Sequence, residues 1–238
     1  MDRYFATVKG EAALFSKEDA HHLLDVRRAE VGERFEVSDG GDVYLAELAS
    51  KKPFEVRIIK MIDRDSELPS KLIIAFSLLK GGHDDLVVMK ATELGAASFI
   101  PFVSERTVVR LDEKGRKARS ERFRRIAREA AMQSRRNLVP EVSEIASFKE
   151  AIGAEADVRF IAYEGIAGER GTLEKALKGV KPGSKTLAVA GPEGGFSEKE
   201  AHMAGEAGLS FVSLGSRILR AETASIYIAS AFSYNIER

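Results

Sequence analysis

The chain has 238 residues, 44% of them hydrophobic, which suffices for one large domain or two small ones with a proper core. It contains no cysteine, so disulfides and thiolate metal sites are excluded, and its four histidines (His21, His22, His83, His202) show no metal-ligand spacing. The start, Met1-Asp2-Arg3-Tyr4, lacks the basic-then-apolar order of a signal peptide, and the longest uncharged apolar-rich run, 223–236, is too short to span a bilayer, so a soluble cytoplasmic protein with no membrane partner is expected.

Residues 1–65 carry a β pattern. Short runs of apolar, aromatic and β-branched residues at 34–37, 43–48 and 54–59 predict strands, with Asp39-Gly40-Gly41-Asp42 as a hairpin turn. Between 16 and 28 the pattern is helical, with Ser16 as the cap and Asp19 three residues on. Arg27 and Arg28 close this helix. Two readings stand for them, a favourable position at a helix C-terminus and contact with RNA. A small β-barrel module is the expected architecture. The charged, polar stretch 62–70, ending in Pro69-Ser70, reads as a linker and sets domains at 1–68 and 69–238.

From Lys71 onward, strand and helix patterns alternate, as in an α/β layered domain. Strands are expected at 72–79, 97–103, 158–163, 185–190 and 211–214. Helices are expected at 83–94, 117–135, 148–152, 172–178, 198–207 and 222–236. The long second helix is basic. Phe123, Ile126, Ala127, Ala130 and Ala131 form its buried stripe, and Arg122, Arg124, Arg125 and Arg128 lie beside or opposite it. A formal net charge of zero argues on its face against a nucleic-acid partner, but residues 104–136 hold twelve Lys/Arg against five Asp/Glu. A segregated charge of this kind presents a strong local field. Arginine dominates over lysine, as suits phosphate forks, and no acids in the run balance it. Arg122, Arg125 and Arg128 are therefore candidate RNA contacts, against the plain reading of a solvated face.

The chain is organised around 187–223. Its first end, Leu187-Ala188-Val189-Ala190-Gly191-Pro192-Glu193-Gly194-Gly195-Phe196, is a buried-strand pattern breaking into a glycine loop. Its second end, Ser213-Leu214-Gly215-Ser216-Arg217-Ile218-Leu219-Arg220-Ala221-Glu222-Thr223, has the same order. Bare glycines let a flat ligand reach main-chain amides and carbonyls, and ligands of open α/β sheets bind outside the carboxyl ends of the strands. An ordinary tight strand-to-helix turn would look similar taken alone. The phosphate-binding G-x-x-x-x-G-K-[ST] loop, the dinucleotide G-x-G-x-x-G and the G-x-S-x-G elbow are absent. Group transfer from an organic cofactor to RNA is left as a natural candidate.

The paired motifs Gly191-Pro192-Glu193-Gly194-Gly195-Phe196 and Leu214-Gly215-Ser216-Arg217-Ile218-Leu219-Arg220-Ala221-Glu222-Thr223-Ala224 resemble those of the bacterial 16S rRNA uridine-N3 methyltransferases, the RsmE family of the SPOUT superfamily. Supporting segments are 21–28, Lys90-Ala91-Thr92-Glu93-Leu94-Gly95 with Pro101 and Ser104-Glu105-Arg106, and Glu129-Ala130-Ala131-Met132-Gln133-Ser134-Arg135-Arg136 with Pro140. The family often has Val-Leu-Arg where this chain has Val26-Arg27-Arg28. The resemblance implies a PUA-like barrel that helps bind rRNA, followed by an α/β domain with a deep trefoil knot, a rare exception to unthreaded topology. It also implies a homodimer, S-adenosylmethionine held in the knot, and a uridine in the decoding region of 16S rRNA as target, while the histidine spacing already argues for no metal. Arg106, Gln133, Arg135 and Arg136 join the RNA-binding set through the matching segments.

By the same resemblance, main-chain groups around Leu214, Gly215, Ile218 and Leu219 would hold the adenine, with Thr223 closing the motif. Gly191, Pro192, Glu193 and Gly194 would line the cofactor, joined by Tyr163, Glu164 and Gly165 at the end of the preceding strand. Methylating N3 requires loss of its proton, so Glu193 and Glu222 are candidate bases and Arg220 a candidate stabiliser of charge on the uracil oxygens. Glu222 has an equal claim as an acid placed near a helix N-terminus. Two other functions remain open: a SPOUT enzyme acting on a ribose 2′-oxygen of tRNA or rRNA, and a non-catalytic RNA-binding assembly factor.

Overall fold

A computed structural model of the chain describes residues 3–164 and 171–237. It divides into two compact units. One comprises Met1–Glu67 with Ala131–Val139, the other Leu68–Ala130 with Pro140–Arg238. A single linear boundary does not anticipate the return of 131–139 to the first unit.

The first unit holds β1 (Arg3–Phe5), β2 (Thr7–Lys9), β3 (Ala12–Leu14), α1 (Lys17–His21), β4 (Arg34–Asp39), β5 (Asp42–Lys51) and β6 (Phe54–Ile62). The strands form one sheet in the order β1-β4-β5-β6-β3-β2. Its two outermost strands, β1 and β2, are separated in the chain by Ala6 alone, so the sheet must curl on itself. The Val8 amide, on β2, donates to Asp39 Oδ2 on β4 at 2.8 Å. Closure of this kind removes exposed strand edges. Tyr4, Leu23, Phe35, Val37, Ala46, Leu48 and Val56 fill the interior.

The expected helix at 16–28 is interrupted. Ser16 caps it, accepting from the Asp19 amide at 3.0 Å, but the α-helical turns end at His21 and a π-helical turn follows over His22–Val26. Arg27 pairs with Glu33 at 2.6 Å, and Arg28 is exposed with φ 58°, outside any helix. The hairpin strands are longer than the apolar runs suggested, because ladder pairing carries polar flanks such as Asp39 and Asp42 into register.

The second unit begins with β7 (Lys71–Ser77), the turn Lys80–Gly82, α2 (His83–Glu93) and β8 (Ser98–Val103). It continues with α3 (Glu113–Gln133, whose last turn counts with the first unit), β9 (Glu141–Val142), β10 (Ala146–Ser147), α4 (Phe148–Ile152) and β11 (Val158–Ala162). It ends with β12 (Gly171–Thr172), α5 (Leu173–Leu177), β13 (Lys185–Ala190), α6 (Glu198–Glu206), β14 (Ser210–Ser213) and α7 (Ala221–Ile236). All its strand pairs are parallel, in the order β10-β8-β7-β13-β11-β14-β12, with β9 beside β8. Parallel sheets need cover on both faces, and two clusters supply it. Leu72, Ile74, Phe76, Phe123 and Phe160 lie on one face with α7, and Ala75, Phe102, Ile161, Leu187 and Val189 on the other. Strand β13 is buried from Thr186 to Ala190, as its unbroken apolar run implies. Capping boxes start α4 (Ser147 with Glu150) and α6 (Ser197 with Glu200), and the Ser147 amide holds the Glu150 carboxyl below its ordinary range. Among the described residues no helix is long and apolar enough to cross a membrane, and none of the acidic and histidine side chains cluster as a metal site.

Candidate active site

Strand β11 lies between β13 and β14, so the carboxyl ends of three neighbouring strands open side by side. Tyr163 and Glu164 follow β11, the glycine loop 191–195 follows β13, and 214–220 follows β14. Together they line a cleft of about 820 Å³, a typical size for a small-molecule site. Lys80, His83, Arg106 and Glu222 reach it from the ends of other elements.

The loop backbone has local causes. At Gly191 an added Cβ would stand 2.8 Å from the Phe196 ring, which is buried and packs on Phe102, Phe148 and Tyr163. At Gly194 it would meet Arg106 Cβ at 3.3 Å, where Arg106 Nη1 donates to the Gly194 carbonyl at 3.0 Å. Gly195 and Gly215 have φ of 68° and 121°, the left-handed region glycine adopts without strain. The loop is further held from below: Ser197 Oγ donates to Glu105 Oε2 at 2.7 Å, and the Glu105 amide to Glu200 Oε1 at 2.8 Å. Gly191→Ala should therefore destabilise the fold by about 1–3 kcal/mol through overpacking against Phe196. Thermal unfolding of the variant checks this, and an unshifted midpoint would show that the ring yields freely.

Of the expected cofactor set, Tyr163, Glu164, Gly191, Pro192, Glu193, Gly194, Leu214, Ile218 and Leu219 line the cleft. Gly215 and Thr223 stand outside its lining, and Gly165 lies outside the described residues. Ile218 is 87% exposed, so it does not fill the core. The three expected catalytic residues, Glu193, Arg220 and Glu222, all face the cleft. Glu193 is exposed and among the described residues meets the Lys80 amide alone, at 3.4 Å. Arg220 is exposed and precedes α7 without a side-chain cap bond. Glu222 is buried, and its Oε1 lies 3.1 Å from His83 Nδ1. His83 is the residue that sequence reasoning missed. The sequence presents it only as a histidine without metal-ligand spacing at the start of an expected helix, and no local spacing links it to a glutamate 139 positions later.

The basic face of α3 needs correction. Acids from elsewhere in the chain do answer it: Arg119 forks onto Asp84 at 2.7 and 2.8 Å, Arg122 meets Asp85 at 2.6 Å, and Arg124 meets Glu144 at 2.6 Å. Asp85, by hydrogen bond and then by charge, holds the Arg122 guanidinium above its ordinary value, and the Arg124 hydrogen bond holds the Glu144 carboxyl below its own. Arg125 is exposed, 3.9 Å from Glu129, and Arg128 is half-buried. Gln133 and Arg135 are exposed. Arg136, expected at an RNA surface, is instead 3% exposed and bound to the Glu67 carboxylate, so the fold consumes its charge. Arg106, expected on RNA, is at the edge of the cleft.

Residues 66–233 match the RNA methyltransferase domain and residues 15–59 the RNA methyltransferase PUA domain. The fold and the cleft thus define the class, a parallel α/β RNA methyltransferase domain preceded by a PUA-like domain. The ribosomal RNA small subunit methyltransferase E of Bacillus subtilis is 38% identical over 100% of this chain and 98% of its own length. The Neisseria gonorrhoeae enzyme of the same name, solved bound to S-adenosyl methionine, is 31% identical with a TM-score of 0.84, over 97% of this chain and 96% of that one. A Legionella pneumophila protein solved with the bound cofactor SAM is 26% identical with a TM-score of 0.86, over 98% and 96%. The chain belongs to the ribosomal RNA small subunit methyltransferase E family, as its paired motifs implied.

Proposed function

We propose that this protein transfers the methyl group of S-adenosylmethionine to N3 of a uridine in the decoding region of 16S rRNA, acting on the small ribosomal subunit in the cytoplasm. The observation that carries the reading is the meeting of two glycine-punctuated turns, 191–195 and 214–220, in one cleft at the ends of neighbouring parallel strands.

The residues present fit the cofactor. Leu214, Ile218 and Leu219 offer an apolar wall for a flat base, and the backbone of 191–195 carries no side chain at three of its five positions. Glu164 and Glu193 answer a cationic ligand. When bound, S-adenosylmethionine supplies an electrophilic methyl group. The chain's own part is to orient the base, exclude water, and manage one proton and one developing charge. Arg220 faces the cleft as a donor for the uracil oxygens. Positioning by the loops supplies a further share of the rate.

The reading includes a homodimer and a deep trefoil knot in the C-terminal domain. The dimer is supported by Tyr227 and Tyr234, 46% and 60% exposed two turns apart on α7, with Ile218 protruding before the helix. The knot carries over from the family resemblance. RNA contact is assigned to Arg27, Arg28, Arg106, Gln133, Arg135 and the α3 face. Replacing Arg122, Arg125 and Arg128 by glutamine should weaken RNA binding and flatten its log–log salt dependence by about 0.7–0.9 for each phosphate no longer neutralised. An unchanged slope in a salt titration would remove α3 from the interface. The function is tested by methyl transfer onto small subunits lacking the modification, followed by nucleoside analysis. 3-Methyluridine is expected. A 2′-O-methylated nucleoside, or cofactor binding absent altogether, would overturn the assignment.

A further inference from the structure

We infer that His83 positions the Glu222 carboxylate so that Glu222, and not Glu193, takes the N3 proton of the target uracil. The inference rests on the uridine-N3 reading and deepens it. His83 Nδ1 and Glu222 Oε1 are 3.1 Å apart, and both residues line the cleft. They are delivered by the starts of two helices, His83 opening α2 and Glu222 second in α7.

The turn before α2 is built for this delivery. Gly81 and Gly82 have φ of 68° and 79°, two successive left-handed positions that side chains resist. A Cβ on Gly81 would stand 3.3 Å from His83 Cδ2, so the bare α-carbon leaves room for the imidazole that meets the carboxylate.

Glu222 does not behave as a simple helix cap. Its carboxylate makes no hydrogen bond to an α7 amide among the described residues and turns instead to the imidazole. Its side chain is 11% exposed, against 43% for His83, so the pair has a dry end and a wet end. Glu193 is exposed, and its 3.4 Å contact with the Lys80 amide does not fix it. A base must be held within reach of its proton, with a third group orienting it; the buried Glu222 has a side-chain partner in His83 at 3.1 Å, whereas the exposed Glu193 has the Lys80 amide at 3.4 Å. The other charged groups lining the cleft are Lys80, Arg106, Glu164, Glu193, Glu198 and Arg220.

The step balances without an oxidant or reductant. The proton leaves N3 for a Glu222 oxygen, the N–H electron pair stays on N3, and the product carboxylic acid returns its proton to solvent. His83 acts through Glu222 rather than on the uracil and is a positioning residue.

Glu222→Gln, His83→Ala, His83→Gln and the Glu222→Gln/His83→Ala double variant test this on unmodified small subunits. Each is measured for kcat, KM, cofactor affinity by calorimetry, and melting temperature. Glu222→Gln should lower kcat about 10²–10⁴-fold, with cofactor affinity retained. His83→Ala should lower kcat by a smaller factor with KM kept, and His83→Gln, which retains a donor, should recover part of it. The double variant should be no slower than Glu222→Gln, because the two act as one unit. Wild-type kcat in Glu222→Gln, or losses that track melting temperature or cofactor affinity, would overturn the inference while leaving uridine-N3 methylation standing. A wild-type protein that makes no 3-methyluridine would overturn both.

Discussion

Arg3→Ala should lower the unfolding free energy of the first unit by about 3–5 kcal/mol, the cost of breaking one side of a buried ion pair. Arg3 is fully buried on β1 and uses all its donor nitrogens. Nε and Nη2 reach Glu36 Oε2 at 3.0 and 2.8 Å, and Nη1 reaches the Arg135 carbonyl and Asn137 Oδ1, both at 2.6 Å. Glu36 is 3% exposed and, among the described residues, would keep Arg64, at 2.5 Å, whose side chain is about half exposed. The deletion would also remove two bonds from the 131–139 segment, which Asn137 still ties to the unit through the Arg64 and Gly41 carbonyls. Denaturant unfolding with hydrogen exchange over β1, β4 and 131–139 measures the effect. Arg3→Met separates charge from volume. If methionine costs as much as alanine, the missing ion pair dominates. A loss under about 1 kcal/mol, the range of an exposed pair, would mean that water reaches Glu36.

This network also marks the limit of what patterns along a chain can reveal. The alternation of strands and helices after Lys71 is legible because each signal is local: the apolar run at β13, the Ser-x-x-Glu boxes at α4 and α6, the glycines ending β13 and β14. The cleft was legible for the same reason, since its two main walls are continuous motifs. Strands β1, β2 and β3 were not, because three residues cannot display a period of two. Nor could local pattern say which acids face which arginines. Asp84 and Asp85 open α2 as ordinary first-turn acids, yet they neutralise Arg119 and Arg122 on α3. Arg136 looks like the tail of a basic run until Glu67 takes it out of solvent. His83 and Glu222 have no sequence relation at all. They meet only because the turns before α2 and α7 both open into the cleft.

Arg220→Ala should leave the fold intact and lower kcat about 10²–10³-fold, the usual cost of removing one donor aimed at a developing oxyanion. Removing a proton from N3 spreads negative charge over the two flanking uracil oxygens, so a cation at the site helps most after the proton has begun to leave. Arg220 suits that role by what it does not do. Its guanidinium has no ion-pair or hydrogen-bond partner among the described residues, and it lines the cleft from the residue that caps α7, two positions before Glu222. Lys80 and Arg106 also line the cleft, but Arg106 is committed to the Gly194 carbonyl. Because Arg220 is exposed and unpaired, its truncation should change stability by no more than about 0.5 kcal/mol. Lysine at this position should restore charge without the planar fork and recover only part of the rate. Single-turnover transfer on unmodified small subunits, run beside thermal unfolding, separates the outcomes. A fall in kcat at constant KM and constant melting temperature supports charge stabilisation. A rise in KM alone would make Arg220 an RNA anchor, and full turnover by the folded alanine variant would leave the developing charge to be met by main-chain amides of the two glycine turns.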